Sequence, residues 1–137
     1  MNSEEVVREF LDAENNRDWE RWKEQVAEDV VYYTVGVGEE IRGRDNYLTE
    51  VQEDYRDMPD WSYEIRHLCG QDNTVMVEFD GSGHFTGVFQ GERFDSVALK
   101  VSAAVVFELE KGKIVRCREY IDTTGFEQQL LQARSGS

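Results

Sequence analysis

Residues 105–122 read VVFELEKGKIVRCREYID, and this stretch decides how the chain is read. Val105 and Phe107 alternate with Val106 and Glu108, Lys111-Gly112-Lys113 supplies a turn, and Ile114 to Tyr120 continues as a second extended segment. On that second strand Val115, Cys117, Glu119 and Ile121 share one face and Arg116 and Arg118 the other. One carboxylate among apolar and soft neighbours predicts that Glu119 faces a poorly hydrated space, where desolvation raises its proton affinity toward acid/base use. The competing reading makes Glu119 a structural carboxylate tied to a tyrosine or an arginine.

Outward from this hairpin, the pattern predicts an α+β chain with helices first and strands later. Val6, Val7, Phe10 and Leu11 recur at helical spacing behind Asn2 and Ser3, either of which can cap the helix. Asp18 caps a short second helix carrying Trp19 and Trp22. Val30 to Val35 follows as a strand that Gly36 and Gly38 break, and a third helix begins at Gly43-Arg44-Asp45 with Tyr47, Leu48, Val51 and Tyr55 on its apolar face. Past Pro59 the period changes to that of strands over Trp61 to Cys69, Thr74 to Val88 and Arg93 to Glu108, an antiparallel meander with the opening hairpin. Thr124 and Glu127 form a capping box for a last helix with Phe126, Leu130 and Leu131. The expected architecture is a cone-shaped barrel: a curved antiparallel sheet with helices packed on its concave face, bent at Gly81 and Gly83. One domain spans residues 1–132, and 133–137 form a flexible tail.

A cone of this kind is lined by some of the sixteen aromatic residues, and an apolar pocket with a few polar groups is a ligand site by default. Trp22, Tyr55, Trp61, Val101, Ala103 and Cys117 are the expected lining. Tyr32 reads equally as a pocket hydroxyl or a core aromatic. His84 shares a strand face with Met76, Glu78, Asp80 and Ser82; if that face looks inward His84 shuttles protons, and if outward Val75, Val77 and Phe79 line the pocket instead. His67 reads as structural. No metal-ligand spacing, phosphate-binding glycine loop or nucleophile elbow occurs, so neither metal nor cofactor is expected.

The 137 residues carry 29 acidic and 15 basic side chains, a net charge of −14. Such a surface is a poor partner for nucleic acid or anionic membranes; it suits a salt-rich cytoplasm or is an ordinary acidic surface. With no apolar run of membrane-spanning length and an acidic helix following Met1-Asn2-Ser3, the expectation is a cytoplasmic protein. Cys69 and Cys117 lie 48 positions apart and read as free thiols. The longest strand puts Ala98, Lys100, Ser102, Ala104 and Val106 opposite Leu99, Val101, Ala103 and Val105, which predicts a homodimer through the outer sheet face.

Several pieces in fixed order carry a family likeness: Val6-Val7 to Phe10, Asn16-Arg17-Asp18-Trp19, Ala27-Glu28-Asp29-Val30-Val31-Tyr32, Ile41-Arg42-Gly43-Arg44-Asp45, Gly112-Lys113-Ile114-Val115 and Arg118-Glu119-Tyr120-Ile121-Asp122. In these the chain resembles the nuclear transport factor 2-like superfamily, within it the SnoaL-like polyketide cyclases and limonene-epoxide hydrolases. The resemblance implies a cone-shaped fold, commonly dimeric through the sheet, with a cofactor-independent active site inside that takes a hydrophobic small molecule. The hydrolases' last-strand acid and first-strand tyrosine match Glu119 and Tyr32. Their Arg-x-Asp is replaced by Glu78-Phe79-Asp80-Gly81-Ser82, and their water-holding asparagine by Thr34. The ketosteroid isomerases' three polar positions fall at Phe10, Tyr33 and Ala103-Ala104 and are not kept. The cyclase plan, one last-strand acid with polar residues on facing strands, is compatible with Glu119, His84 and Asp80, and together with Tyr32 these are the expected catalytic residues. A non-catalytic ligand-binding or dimeric module is the alternative.

Overall fold

The computed structural model describes residues 1–135. Its elements in chain order are α1 (Ser3–Asn15), α2 (Trp19–Glu24), β1 (Val26–Thr34), β2 (Val37–Arg42), α3 (Arg44–Asp57), β3 (Ser62–Gln71), β4 (Thr74–Phe89), β5 (Glu92–Glu110), β6 (Lys113–Ile121) and α4 (Thr123–Ser135). The opening hairpin is β5–β6, with Glu110 opposite Lys113. Its two turn residues, Lys111 and Gly112, both take left-handed φ, 51° and 76°, as the two-residue turn that matches strand twist requires.

The strands form one sheet in the order β2-β1-β6-β5-β4-β3. Three features differ from the sequence reading. Gly36 and Gly38 do not end the first strand's pairing but turn it back into β2, with Thr34 opposite Val37 and Tyr32 opposite Ile41. The sheet is mixed, because β1 runs parallel to β6; the whole meander lies between them, which supplies the long crossover that parallel neighbours need. Gly81 and Gly83 are not bulges, since their ladder to Val101 and Leu99 is regular and the register shifts between Phe85 and Gly87. Gly81 instead makes room for the Trp61 ring, which a Cβ there would strike.

Helices cover one sheet face. α1 turns Val6, Val7, Phe10, Leu11 and Ala13 into the core, where the Phe10 ring meets Trp22 at 5.2 Å and Phe107 at 5.7 Å between centroids. Each such buried aromatic contributes roughly 1.5–3 kcal/mol. A second cluster of Phe85, Phe94, Leu99 and Leu130 sits under α4. Asn2 and Asp18 cap α1 and α2 through Glu5 N–H and Arg21 N–H. The cap of α4 is Asp122, whose Oδ1 accepts from Gly125 N–H at 2.8 Å, rather than Thr124. On β4, Val75 and Val77 are buried and Met76 and Glu78 exposed, so the odd-numbered face looks inward.

Both cysteines are free, Cys69 exposed and Cys117 buried. Of the expected tail, residues 133–135 belong to α4, and Gly136 and Ser137 lie outside the described residues. Among the described residues no helix is long and apolar enough to cross a membrane.

Candidate functional site

Between the inner sheet face and the helices lies a cavity of about 110 Å³. β6 brings Glu119 to its wall, opposite Val105 on β5 and Thr34 on β1. α1 brings Glu14, one turn beyond Phe10 and Leu11; α3 brings Tyr47 and, at the mouth, Asp54 and Tyr55; β3 brings Tyr63. Phe10, Phe79 and Phe107 complete the aromatic wall. Among the described residues, none that lines the cavity is basic.

The carboxyls answer to that setting. Burial pushes Glu119 up to about 7, reinforced by Glu14 and Asp54, while the adjacent Tyr32 hydroxyl draws it partly back. Glu14 is raised by burial against the pull of three donors: Trp22 Nε1–H, and the Tyr55 and Tyr63 hydroxyls, each at 3.1 Å. Asp54 is pushed up to about 7 by burial of its carboxyl and by Glu50 and Glu14. Its residue is nevertheless exposed at the mouth, where solvent screens its charge, so of the two acids pushed to about 7 Glu119 is the one the cavity governs more firmly. Burial also raises the phenols of Tyr32, Tyr47, Tyr55 and Tyr63, which keeps them protonated donors near neutral pH.

Neighbouring groups hold these side chains in place. The Asn15 side chain donates to Tyr63 O at 3.0 Å and accepts from Tyr63 N–H at 3.2 Å, so consecutive α1 residues fix the tyrosine's backbone and receive its hydroxyl. Arg17 lies 3.6 Å over the Tyr55 ring and donates to the carbonyls of Glu14, Asn15, Pro59 and Trp61, which ties the loop before β3 to the end of α1. Tyr32 stacks on Tyr47 at 4.6 Å, its hydroxyl 3.4 Å from Thr34 Oγ1.

Of the residues singled out in the sequence, Glu119, Tyr32 and Tyr55 meet in the cavity. Asp80 and His84 do not join them, because the even-numbered face of β4 looks outward: Asp80 Oδ2 accepts from Arg66 at 2.6 Å and Oδ1 from Ser102 at 2.8 Å, and His84 Nδ1 lies 2.6 Å from Asp60 Oδ2. Trp22 sits one layer back, bonded to Glu14. Trp61 covers Gly81, and Val101 and Ala103 are buried on β5 beyond the cavity wall. Cys117 is fully buried; burial raises its thiol despite the Tyr47 hydroxyl beside it, the opposite of an activated nucleophile. The residues the sequence reading missed are Glu14, Asp54 and Tyr63. Glu14 had a signal: it follows Val7, Phe10 and Leu11 on the apolar stripe of α1, where a carboxylate needs a reason.

A helix-backed, cone-like sheet with an acid inside it defines a member of the nuclear transport factor 2-like superfamily. Within that class, residues 4–130 match the sequence profile of the SnoaL-like polyketide cyclases, and the chain belongs to this family. No match is found among curated proteins. Solved structures agree on the fold. A protein named for the SnoaL-like polyketide cyclases from Jannaschia sp. CCS1 superposes with a TM-score of 0.83 at 16% identity, over 91% of this chain and 88% of that one. IdmH, a candidate polyketide cyclase from Streptomyces antibioticus, gives 0.81 at 19% over 95% and 99%. An epoxide hydrolase from M. tuberculosis, of the LEH-like type, gives 0.77 at 22% over 95% and 90%. At these identities the likeness is one of fold alone.

Proposed function

We propose that the protein is a cofactor-independent enzyme that moves a proton on a hydrophobic small molecule, with Glu119 as the acid/base. The observation that carries this reading is the convergence of Glu119, pushed up to about 7, with protonated tyrosine hydroxyls inside an aromatic cavity. A carboxyl near neutrality both takes and returns a proton at cellular pH. In the step that fits, Glu119 removes a proton from the carbon beside a carbonyl. The C–H electron pair becomes the enol C=C bond while the carbonyl π pair moves onto oxygen, which a tyrosine O–H stabilises by hydrogen bonding; Glu119 then returns the proton to a carbon of the rearranged enolate or, where the enolate carbon closes a ring on a second carbonyl, to the alkoxide oxygen formed there. Tyr32 is the hydroxyl nearest this chemistry in the sheet. The outward placement of Asp80 and His84 removes them from this scheme.

The test is hydrogen–deuterium exchange at the α-carbons of cyclopentanone, a ketone small enough for the cavity, followed by NMR. The protein should accelerate exchange, and Glu119→Gln, which nearly preserves shape, should lower that rate by roughly 10²–10⁴-fold while retaining the native circular dichroism. Unchanged exchange in the variant would refute the role of Glu119. The second reading, a non-catalytic ligand-binding module, is favoured by the modest volume, about 110 Å³; it takes over if cyclopentanone raises the melting temperature without any exchange.

The outer sheet face, where Ala98, Lys100 and Ser102 are exposed beside Met76 and Tyr120, supports a homodimer as the assembly. Light scattering at low and high salt measures it, and a monomeric mass in both would exclude it.

A further inference from the structure

We propose that the cavity selects a substituted ammonium group, so that the small molecule it takes is an amine or quaternary ammonium compound inserted cation first. This deepens the preceding reading and rests on its choice of cavity as the site. Three observations lead here. First, three carboxyls, Glu14, Asp54 and Glu119, border one space whose lining, among the described residues, holds no base. Arg17, whose charge reaches Glu14, stacks outside on Tyr55 and directs its N–H groups at four backbone carbonyls, so no cation is fixed among the side chains that line the cavity. Second, aromatic side chains, among them Tyr55, Tyr63, Phe79 and Phe107, make up most of the rest of the wall, beside Leu11, Val51 and Val105, and aromatic rings attract a weakly hydrated organic cation. Third, among the described residues no group of three acids, histidines or cysteines stands close enough to chelate a metal ion.

Size sets the rest of the ligand. A space of about 110 Å³ takes a compact group, and any longer body extends past Asp54 and Tyr55 at the mouth. The proton balance follows. Glu119 is faced by Glu14 from α1, Tyr63 from β3, Tyr32 from β1, and Tyr47, Asp54 and Tyr55 from α3, with Cys117 next but one on its own strand. All are acidic or neutral, and a bound cation favours the ionised carboxylates, so binding expels a proton wherever Glu119 is still protonated.

Choline and 3,3-dimethylbutan-1-ol have the same shape and differ in charge, which makes them the probes. Calorimetry at fixed ionic strength, in buffers of different ionisation heat, should show choline binding at least tenfold tighter than the neutral alcohol. Its affinity should rise by up to tenfold per pH unit below about 7 and level off above, with protons released into the buffer. Glu119→Gln should make that pH slope shallower, the remainder belonging to Asp54 and Glu14, and Asp54→Asn, at the exposed mouth and safe for folding, should weaken choline several-fold without changing binding of the alcohol. Equal affinity for the two probes, or choline binding that ignores pH in the native protein, overturns the proposal. So does the absence of choline binding. The cyclopentanone exchange separates this outcome from the preceding one: exchange with no preference for choline keeps the acid/base reading and discards the ammonium, whereas choline preference without exchange does the reverse.

Discussion

The two faces of the sheet carry the same kinds of side chain and treat them in opposite ways. On the outer face acids stand against bases: Arg66 on Asp80 at 2.6 Å, His67 on Glu78 at 2.8 Å, and Arg116 and Arg118 on Glu108 at 3.2 and 3.1 Å. Asp80 is accordingly held below its usual range by Arg66 and Ser102. On the inner face Glu119 and Glu14 meet phenols, an indole and each other, and both are raised. What distinguishes a site from a surface here is therefore neither the count of acids nor their strand, but whether a cation or an aromatic wall stands opposite.

The largest effect that can test this contrast concerns packing. Phe10→Ala, which opens the inner wall among Trp22, Tyr47 and Phe107, should cost about 3–5 kcal/mol, whereas Met76→Ala on the outer face, 53% exposed, should stay within about 0.5 kcal/mol. Urea melts of both variants give the comparison. Similar losses would mean that the outer face is as tightly covered as the inner.

Next comes the pH dependence of stability. Glu119 binds its proton more tightly in the folded chain, about 7 against an ordinary 4.5, so its neutral form costs nothing below 4.5 and stability is lost progressively as pH rises from 4.5 to about 7. The loss is up to roughly 3 kcal/mol. Glu119→Gln should flatten that window, making the variant the more stable protein at pH 8. A variant equally or less stable there would show that the carboxylate is compensated after all.

The smallest effect lies outside. Asp80 is depressed from an ordinary 3.8, so what it contributes is present above 3.8 and fades as pH falls below it. Asp80→Asn should alter the melting curve only slightly at neutral pH, and its difference from the native protein should shrink in acid, where exposed pairs count least. A pronounced loss at pH 7 would place Asp80 in the energetics of the fold.

The elements that were legible in the sequence are those whose period carries its own explanation. The β5–β6 hairpin, the apolar stripe of α1 and the caps Asn2 and Asp18 depend on neighbours in the chain, and Glu119 was legible because alternation alone puts it opposite Arg118. The direction of β4 was not: Asp80 and Phe79 alternate as cleanly either way, and only pairing with β5 decides which face turns in. The parallel contact of β1 with β6 leaves no local trace either. Glu14 was readable in principle, as an acid on an apolar stripe, but its partners Tyr55 and Tyr63 come from other elements, and their meeting is a property of packing rather than of spacing.

That parallel contact has a consequence for the birth of the molecule. Tyr32 is made long before the strand that sets Glu119 beside it, so a chain emerging from the ribosome presents α1 to α3 and β3 to β5 while the edge of β1 still waits for a neighbour. Until β6 arrives, β1 exposes an unpaired edge able to add a strand from another nascent chain. The three acids therefore meet only once β6 has been made, and a chain that stops before β6 would lack the wall that carries Glu119.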